Sequence, residues 1–278
     1  MAGLFGGKFI MKISFINEKG VKNTNEDSYL IKDNIWGVFD GANSLNKYVD
    51  KDGKTGGLIA SMITRDAFEK NDKSLRDMAM DANLRINEEL NKRKIDSSDK
   101  LNLWCTNLAV VKIDGDKIHW IQLSDATIVF VYSNNSYKLI LDNNEYDNET
   151  LLKCKELARD KAKNMRELID EQIKSVRKKI NVTYGFLTGE KEAISFIKEG
   201  EENIKDIKHI LLFTDGFTIP QKDPLDPYSW DNFVKQYLRD GIEGLRDKIR
   251  TIEKSDPNCW LYPRMKKHDD MTAISITL

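Results

Sequence analysis

The sequence is poor in cysteine and histidine and contains no long apolar run. Three of its 278 residues are cysteine and three are histidine. Cys105, Cys154 and Cys259 are odd in number, far apart and without a C-x-x-C pair. This pattern argues against a disulfide framework and a zinc site, and it favours a reducing cytoplasm. No apolar stretch approaches the roughly 18 residues that a membrane-spanning helix needs.

An excess of charge of one sign is also absent. The 44 Lys and Arg residues are matched by 45 Asp and Glu residues, and the formal net charge is −1. The charged fraction is high, at 32%, but its mixed signs are typical of a well-solvated surface. The balance therefore predicts neither nucleic acid nor a membrane surface as a partner, and it indicates no particular oligomeric state.

The first residues, "MAGLFGGKFIM", lack the basic start and the long apolar core of a secretory signal. We interpret residues 1–11 as a tag or an extension. The remaining length, residues 12–278, fits one large domain that includes an insert and is long enough to bury a substantial core.

Runs of strands alternate with runs of helices along the chain. Alternating or continuous apolar patterns predict strands at 12–16, 28–33, 34–40, 101–113, 117–125, 127–133, 137–141, 209–215 and 271–278. Apolar residues at steps of three and four predict helices from Gly56, at 75–94, at 230–238 and at 240–254. Strands in runs favour an α+β fold with a mainly antiparallel sheet.

A charged segment at 148–179 carries a narrow apolar stripe and predicts one long helix or two shorter ones. We interpret it as a solvated insert packed on one face, with a helix that pairs with a partner in a coiled coil as the alternative.

Three Asp-Gly pairs follow apolar segments, but only one has the sequence of a hairpin. Asp114-Gly115 has a predicted strand on each side, as a hairpin turn requires. Asp40 ends "IWGVFD" and Asp215 ends "ILLFTD", and no return strand follows either of them. A single Asp at a strand end is usually a turn former or a helix cap. Two such positions in one chain call for a further explanation.

Other acidic residues share this position at the end of a predicted core strand. Glu26 and Asp27 precede "SYLI", and Asp269 and Asp270 precede "MTAISI". Carboxylates that converge repel one another unless a cation lies between them. Oxygen ligands suit Mg²⁺ or Mn²⁺, and a glycine after the aspartate leaves room for its carbonyl to reach a metal as well.

Six short blocks then resemble one family in order and spacing. The blocks are "KNTNEDSYL", "WGVFDGANS", "GGLIAS", "LSDATIVFVY", "ILLFTDGFT" and "DDMTAISI". Together they resemble the signature of metal-dependent type-2C protein serine/threonine phosphatases from about residue 12 to 278. The segment at 184–197 is similar to a stretch common in bacterial members. The resemblance implies a sandwich of two packed antiparallel β-sheets flanked by helices (α-β-β-α), with a binuclear metal site at one end.

The resemblance also implies roles for individual residues. Asp40 corresponds to a carboxylate that bridges two metals, and Asp40, Asp215 and Asp269 form the implied catalytic set. The implied metal ligands are Asp27 through water, or Glu26 in its place, Asp40, the Gly41 carbonyl, Asp125, Asp215 and Asp269. The implied cofactors are two Mn²⁺ or Mg²⁺ ions, with a third, weaker ion at Asp125.

Several positions depart from the family pattern. Lys22 stands five residues before Asp27, where the family usually has an arginine for the substrate phosphate, and we predict that Lys22 binds that phosphate. The other departures are Ala42 and Asn43 near an expected histidine and glycine, Ser124 for glycine, Thr127 for arginine, and Ile219 for an acid.

The sequence therefore predicts hydrolysis of phosphoserine and phosphothreonine in proteins by a metal-activated water. The predicted unit is one phosphatase-like domain at 12–278 with a helical, flap-like insert at about 148–180, which we expect to influence the choice of phosphoprotein substrate. The altered residues around the metal ligands leave an alternative, a catalytically weak pseudophosphatase that acts as a phosphoprotein-binding or regulatory module. A regulatory interaction protein that acts through the insert is a further alternative.

Overall fold

Two five-stranded antiparallel sheets pack face to face at the centre of the computed structural model, which describes residues 11–140 and 145–278. In spatial order, the first sheet contains β1 (Lys12–Glu18), β12 (Met271–Thr277), β11 (Ile207–Phe213), β8 (Thr127–Tyr132) and β9 (Tyr137–Ile140). The second contains β10 (Lys198–Asn203), β7 (Lys117–Leu123), β6 (Leu108–Asp114), β3 (Ile35–Phe39) and β2 (Ser28–Lys32). A short ladder joins β4 (Gly41–Ala42) to β5 (Cys105–Thr106).

Alternation of side chains along the strands gives each sheet two apolar faces. The inner faces meet in a buried cluster that includes Trp36 and Val38 of β3 and Phe130 of β8. The outer face of the second sheet packs against α1 (Gly56–Glu69) and α2 (Leu75–Lys92), and the outer face of the first packs against α6 (Trp230–Ser255). The predicted α-β-β-α sandwich is therefore confirmed.

Capping side chains mark the start of α1 and α2, and a glycine interrupts α6. The side chains of Thr55 and Ser74 accept hydrogen bonds from backbone N–H groups in the first turns of α1 and α2, as N-cap residues do. In α6, Gly241 has a non-helical backbone with φ at +70°, which glycine adopts without steric cost. The sequence predicts two helices, at 230–238 and 240–254, and this interruption lies close to where they meet.

The insert contains three short helices instead of one or two. A 3-10 turn at Glu145–Asp147 leads into α3 (Asn148–Arg159), α4 (Met165–Leu168) and α5 (Asp170–Arg177). Apolar residues of α3 and α4 pack with Cys259, which follows α6, while the end of α5 packs against Cys105 in β5. These apolar residues therefore hold the insert against β5 and against the loop that follows α6.

Two strands were not predicted, the two-residue β4, which falls in a segment predicted as a loop, and the longer β10. The segment "KEGEEN" forms β10, at the edge of the second sheet, where it pairs only with β7. Charged residues are common on edge strands because they discourage pairing with another chain, but they remove the apolar pattern that predicts a strand. The Asp114-Gly115 turn joins β6 to β7 as predicted. Within the described ranges, no helix is both long and apolar enough to cross a membrane.

Candidate active site

The strand register brings the predicted acidic residues to one end of the sandwich. Asp40 follows β3, whose last residue, Phe39, pairs with Ser28, the residue after Asp27. In the other sheet, the last residue of β11, Phe213, pairs with Ala273 of β12 and with Thr127 of β8. Asp215, Asp269 and Asp125 lie within two to four residues of these pairs. Antiparallel pairing thus places residues up to 242 positions apart at the same edge.

Glycine follows Asp40 and Asp215 because the backbone is crowded at both places. A Cβ atom on Gly41 would overlap the carbonyl oxygens of Gly57 and Glu26, and one on Gly216 would overlap the carbonyl oxygen of Asp270. Gly41 itself begins the β4–β5 ladder, and Asp215 begins a 3-10 turn. Neither Asp-Gly pair forms a hairpin, so both carboxylates are free to face the end of the sandwich.

Asn107, which was not among the predicted site residues, links two of the carboxylates. Its Nδ2 donates to Asp40 Oδ2 at 3.2 Å and also to the carboxylate of Asp125, and its backbone N–H donates to the Asp40 carbonyl at 3.0 Å. The residue is fully buried. An asparagine inside the apolar run "LWCTNLAVV" was the available signal, since a buried amide needs hydrogen-bond partners.

Backbone and hydroxyl donors fix the acids that directly precede β2 and β12. Thr214 Oγ1 donates to Asp27 Oδ2 at 2.8 Å. Asp270 accepts from the backbone N–H groups of Gly20 at 2.8 Å and Glu26 at 3.0 Å. Asp270 therefore positions the segment that carries Glu26 and Asp27.

The two carboxylate oxygens of Glu26 differ in their hydrogen bonding. Lys22 Nζ donates to Glu26 Oε2, whereas Glu26 Oε1 is buried and has no hydrogen-bond partner. The predicted phosphate-binding residue, Lys22, is thus paired with a carboxylate, although its side chain remains 39% exposed. An orphaned carboxylate oxygen beside the acidic cluster is what a missing cation would leave.

Lys266 lies among the acids and was not predicted. Its Nζ donates to both carboxylate oxygens of Asp269, at 2.7 and 2.5 Å. The positive charge of Lys266 also opposes the rise in pKa that burial causes at Asp40 and Asp215. The sequence "MKKHDD" gave no signal, because adjacent lysines are ordinarily solvated surface residues.

Burial, and then repulsion between the carboxylates, raises the pKa of several acids at this end. Burial raises the pKa of Asp40 to about 7, and the charge of Asp125 adds to this rise. Burial followed by the charge of Asp269 raises the pKa of Asp215, and burial followed by the charge of Asp40 raises that of Asp27. These groups are therefore short of positive charge despite the nearby lysines.

The donor set fits hard divalent cations. All the side chains concerned offer oxygen, their charges repel one another, and the orphaned Glu26 Oε1 lies beside them. Within residues 11–140 and 145–278, however, no three Asp, Glu, His or Cys side chains are already arranged to hold a metal ion. In this arrangement Lys266 supplies the positive charge at Asp269.

The insert also reaches the acidic end. Tyr146 donates its hydroxyl to Asp125 Oδ2 at 2.7 Å. Burial and then the charge of Asp125 raise the pKa of Asp147 to about 7. Ser124, at the position of a family glycine, has a left-handed backbone with φ at +63°, which explains why glycine suits that position. Tyr146 and Asn107 together orient Asp125, and the sequence analysis identified neither.

These pKa directions predict how the metal-free protein responds to pH. A carboxyl whose pKa is about 3.8 when unfolded and about 7 when folded stabilises the fold most below pH 4, and this contribution is lost as the pH rises through 7. In EDTA, we expect Tm to fall by roughly 3–8 °C between pH 5 and pH 8. Differential scanning calorimetry measures this change, and a higher Tm at pH 8 would contradict it. Asp40→Asn should flatten the dependence.

Comparison with known protein families supports the resemblance that the sequence blocks indicate. The profile of a family described as protein phosphatase 2C matches residues 21–252. Among curated protein sequences, none matches the chain.

Several solved structures of bacterial phosphatases share the fold. The serine/threonine phosphatase PstP/Ppp of Mycobacterium tuberculosis is 15% identical with a TM-score of 0.60, and the match covers 96% of this chain and 98% of that one. Stp1 of Staphylococcus aureus is 14% identical with a TM-score of 0.60, covering 97% and 96%. PppA of Pseudomonas aeruginosa is 16% identical with a TM-score of 0.57, covering 96% and 97%.

The matched profile spans most of the chain, and the shared fold places its acidic blocks at one end of the sandwich. The resemblance read from the six sequence blocks is confirmed. The chain belongs to the protein phosphatase 2C family of protein serine/threonine phosphatases, as a member with a bacterial-like fold.

Proposed function

We propose that this protein hydrolyses phosphoserine and phosphothreonine in proteins and that it uses two divalent cations, Mn²⁺ or Mg²⁺. The observation that carries the proposal is that Asp40, Asp125, Asp215 and Asp269 converge on one end of the sandwich. Burial raises the pKa of Asp40, Asp125 and Asp215, and the positive charge of Lys266 opposes part of this rise. Carboxylates that converge in this way repel one another unless cations bind between them, so their presence at one end favours a function that uses cations.

Each acid has a role in this proposal. Asp40 would hold both ions, and the Gly41 carbonyl would be a further ligand. Asp215 and Asp269 would complete one site, and Asp27, through water, or Glu26 in its place would support the other. Asp125 would hold a third, weaker ion. When bound, such ions lower the pKa of a water and neutralise charge on a phosphoryl group.

The surrounding side chains of this chain orient that set. Asn107 fixes the relative positions of Asp40 and Asp125, and Thr214 fixes one oxygen of Asp27. These hydrogen bonds limit the rotation of each carboxylate, which is how partners of metal ligands tune a site. One similar solved structure, the catalytic domain of PstP, is described as a complex with two manganese ions, which supports the proposed cofactor.

A second function has support from particular contacts. Lys22 is paired with Glu26, and Lys266 with Asp269, so two cations already neutralise acids of the candidate site. A protein that binds phosphoproteins without turnover would tolerate such pairs. We place either activity in the cytoplasm, because Cys105, Cys154 and Cys259 are buried free thiols. The partner in both cases is a phosphoprotein.

Release of phosphate from a phosphothreonine peptide separates the two functions. We expect turnover with Mn²⁺ or Mg²⁺ and none with EDTA, since the carboxylates need the ions to hold the phosphoryl group. The measurement is inorganic phosphate against time at several ion concentrations. Binding of the phosphopeptide without release of phosphate at any ion concentration would instead establish the binding function.

A further inference from the structure

We propose that Arg177, at the end of α5, binds the phosphate of the substrate, the role that the sequence predicts for Lys22. This inference rests on the proposed phosphatase function. Arg177 is the last residue of α5 and belongs to the insert, outside the six blocks that identify the family. The six blocks therefore give no indication of this role, which is inferred from where the structure places the Arg177 side chain.

The packing of α5 aims Arg177 at the acidic end. The preceding residue, Val176, is buried in a cluster with Cys105, Tyr184 and Phe186, which fixes the end of the helix against β5. Tyr184 also donates its hydroxyl to the Val176 carbonyl at 3.0 Å. With Val176 held on this side, the guanidinium of Arg177 extends across the β4–β5 ladder.

The guanidinium lies beside the segment that follows Asp40. Its Nη1 donates to Cys105 Sγ at 2.9 Å, and its Nη2 donates to the Asn43 carbonyl at 3.3 Å. Cys105 pairs with Ala42, two residues after Asp40. An anion held at the ends of β3 and β4 would therefore be within reach of Arg177.

Both partners of Arg177 are neutral. Within residues 11–140 and 145–278, no carboxylate lies within 4 Å of its guanidinium, whose five N–H donors are only partly used. The carboxylates of Glu26 and Asp147 act on this charge only from beyond ion-pair distance, so the hydration that the partly buried guanidinium has lost is not replaced by a direct counter-ion. The positive charge of Arg177 therefore remains available to an anionic ligand.

Comparison with the neighbouring cations decides between the candidates. Lys22 is bound to Glu26 and Lys266 is bound to Asp269, so each would have to break an ion pair before it could bind phosphate. Arg177 would exchange only a thiol and a carbonyl. A guanidinium also offers two parallel N–H donors to a phosphate, whereas an ammonium is a point charge.

The test compares Arg177→Ala and Arg177→Lys with Lys178→Ala, a neighbouring exposed cation on the same insert. With the Mn²⁺-loaded enzyme, kcat/KM is measured for an aryl phosphate and a phosphothreonine peptide, together with the inhibition constant of inorganic phosphate. We expect Arg177→Ala to weaken phosphate inhibition and lower both kcat/KM values by about 10- to 150-fold, the usual range for a charged hydrogen bond. Arg177→Lys should recover part of the loss, and Lys178→Ala should differ from wild type by less than about twofold.

Two results would overturn the inference. One is an unchanged phosphate inhibition constant in Arg177→Ala, even with lower kcat, since that pattern assigns Arg177 to packing of the insert alone. The other is a large loss in Lys22→Ala with none in Arg177→Ala.

If wild type shows no turnover, the phosphatase proposal fails, and calorimetric titration with inorganic phosphate still tests Arg177. Binding that Arg177→Ala abolishes supports the inference, and equal binding or none in wild type overturns it. If Arg177→Ala does not fold, Arg177→Lys carries the same comparison through the phosphate constant.

Discussion

Asp40→Asn should lower kcat/KM for a phosphothreonine peptide by about 1000-fold or more while leaving the fold intact. Asp40 lies among the other carboxylates, since the charges of Asp125 and Asp269 both raise its pKa. Loss of its negative charge removes several kcal/mol of cation binding at the proposed centre. The amide keeps an oxygen that can still accept from Asn107 Nδ2, so the local structure should survive.

The same variant should not be less stable without metal. Because Asp40 is repelled by Asp125 and Asp269, its neutral amide should leave Tm in EDTA unchanged or a few degrees higher. A loss of activity with no loss of stability distinguishes a functional carboxylate from a structural one. Turnover and calorimetry on the same preparation measure both effects.

Asp114→Asn is the matched control. Asp114 also precedes a glycine at a strand end, but it lies in the β6–β7 hairpin, where it is exposed and accepts from Asn34 Nδ2. Its substitution should leave kcat/KM within about twofold of wild type. Wild-type turnover in a folded Asp40→Asn protein would exclude the proposed role of Asp40.

The fold could be predicted because the patterns that mark its strands and helices each lie within a short stretch of sequence. Continuous apolar runs mark β3, β6 and β11, and apolar residues at steps of three and four mark α1 and α2. Asp114 and Asp40 could also be distinguished from nearby sequence alone. A strand follows Asp114-Gly115, as a hairpin requires, whereas no return strand is predicted after Asp40-Gly41. The strand β10 was not predicted because its charged residues, which suit the edge of a sheet, leave no apolar pattern that marks a strand.

The site could be predicted only where its residues follow strand ends. Asp40 and Asp215 are recognisable because an apolar run stops at each, and the register that joins them follows from the sheet. Tyr146, Arg177 and Lys266 come from the insert or from the loop after α6, where long side chains reach inward from polar sequence. No periodicity marks such residues, because their positions depend on how separate segments pack.

Lys266 is the most consequential of these residues, because it sets how readily the acidic end accepts a cation. Its Nζ contacts both oxygens of Asp269, and its charge also acts on Asp40, Asp125 and Asp215. A divalent cation that binds Asp269 must compete with this ammonium for the same oxygens. Metal binding and the Lys266 ion pair therefore oppose each other.

Lys266→Met should consequently bind Mn²⁺ roughly 100-fold more tightly than wild type. Two unit charges 4 Å apart interact by about 4 kcal/mol at an effective dielectric constant of about 20. Because the Lys266 side chain is 36% exposed, we expect less, about 3 kcal/mol, which corresponds to the stated factor. Methionine keeps the length of the apolar stem and removes only the charge. Isothermal titration with Mn²⁺ measures the affinity directly and does not depend on turnover.

Stability should change in opposite directions with and without the ion. In EDTA, Lys266→Met leaves the repelling carboxylates without their lysine, so Tm should fall below that of wild type. In saturating Mn²⁺, tighter binding should raise Tm above that of wild type, because a ligand stabilises the folded state by an amount that grows with its affinity. Lys267→Met, at the exposed neighbouring lysine, should show neither effect. Equal Mn²⁺ affinity in Lys266→Met and wild type would mean that the cations bind away from Asp269, and Asp269 would then have to be removed from the proposed ligand set.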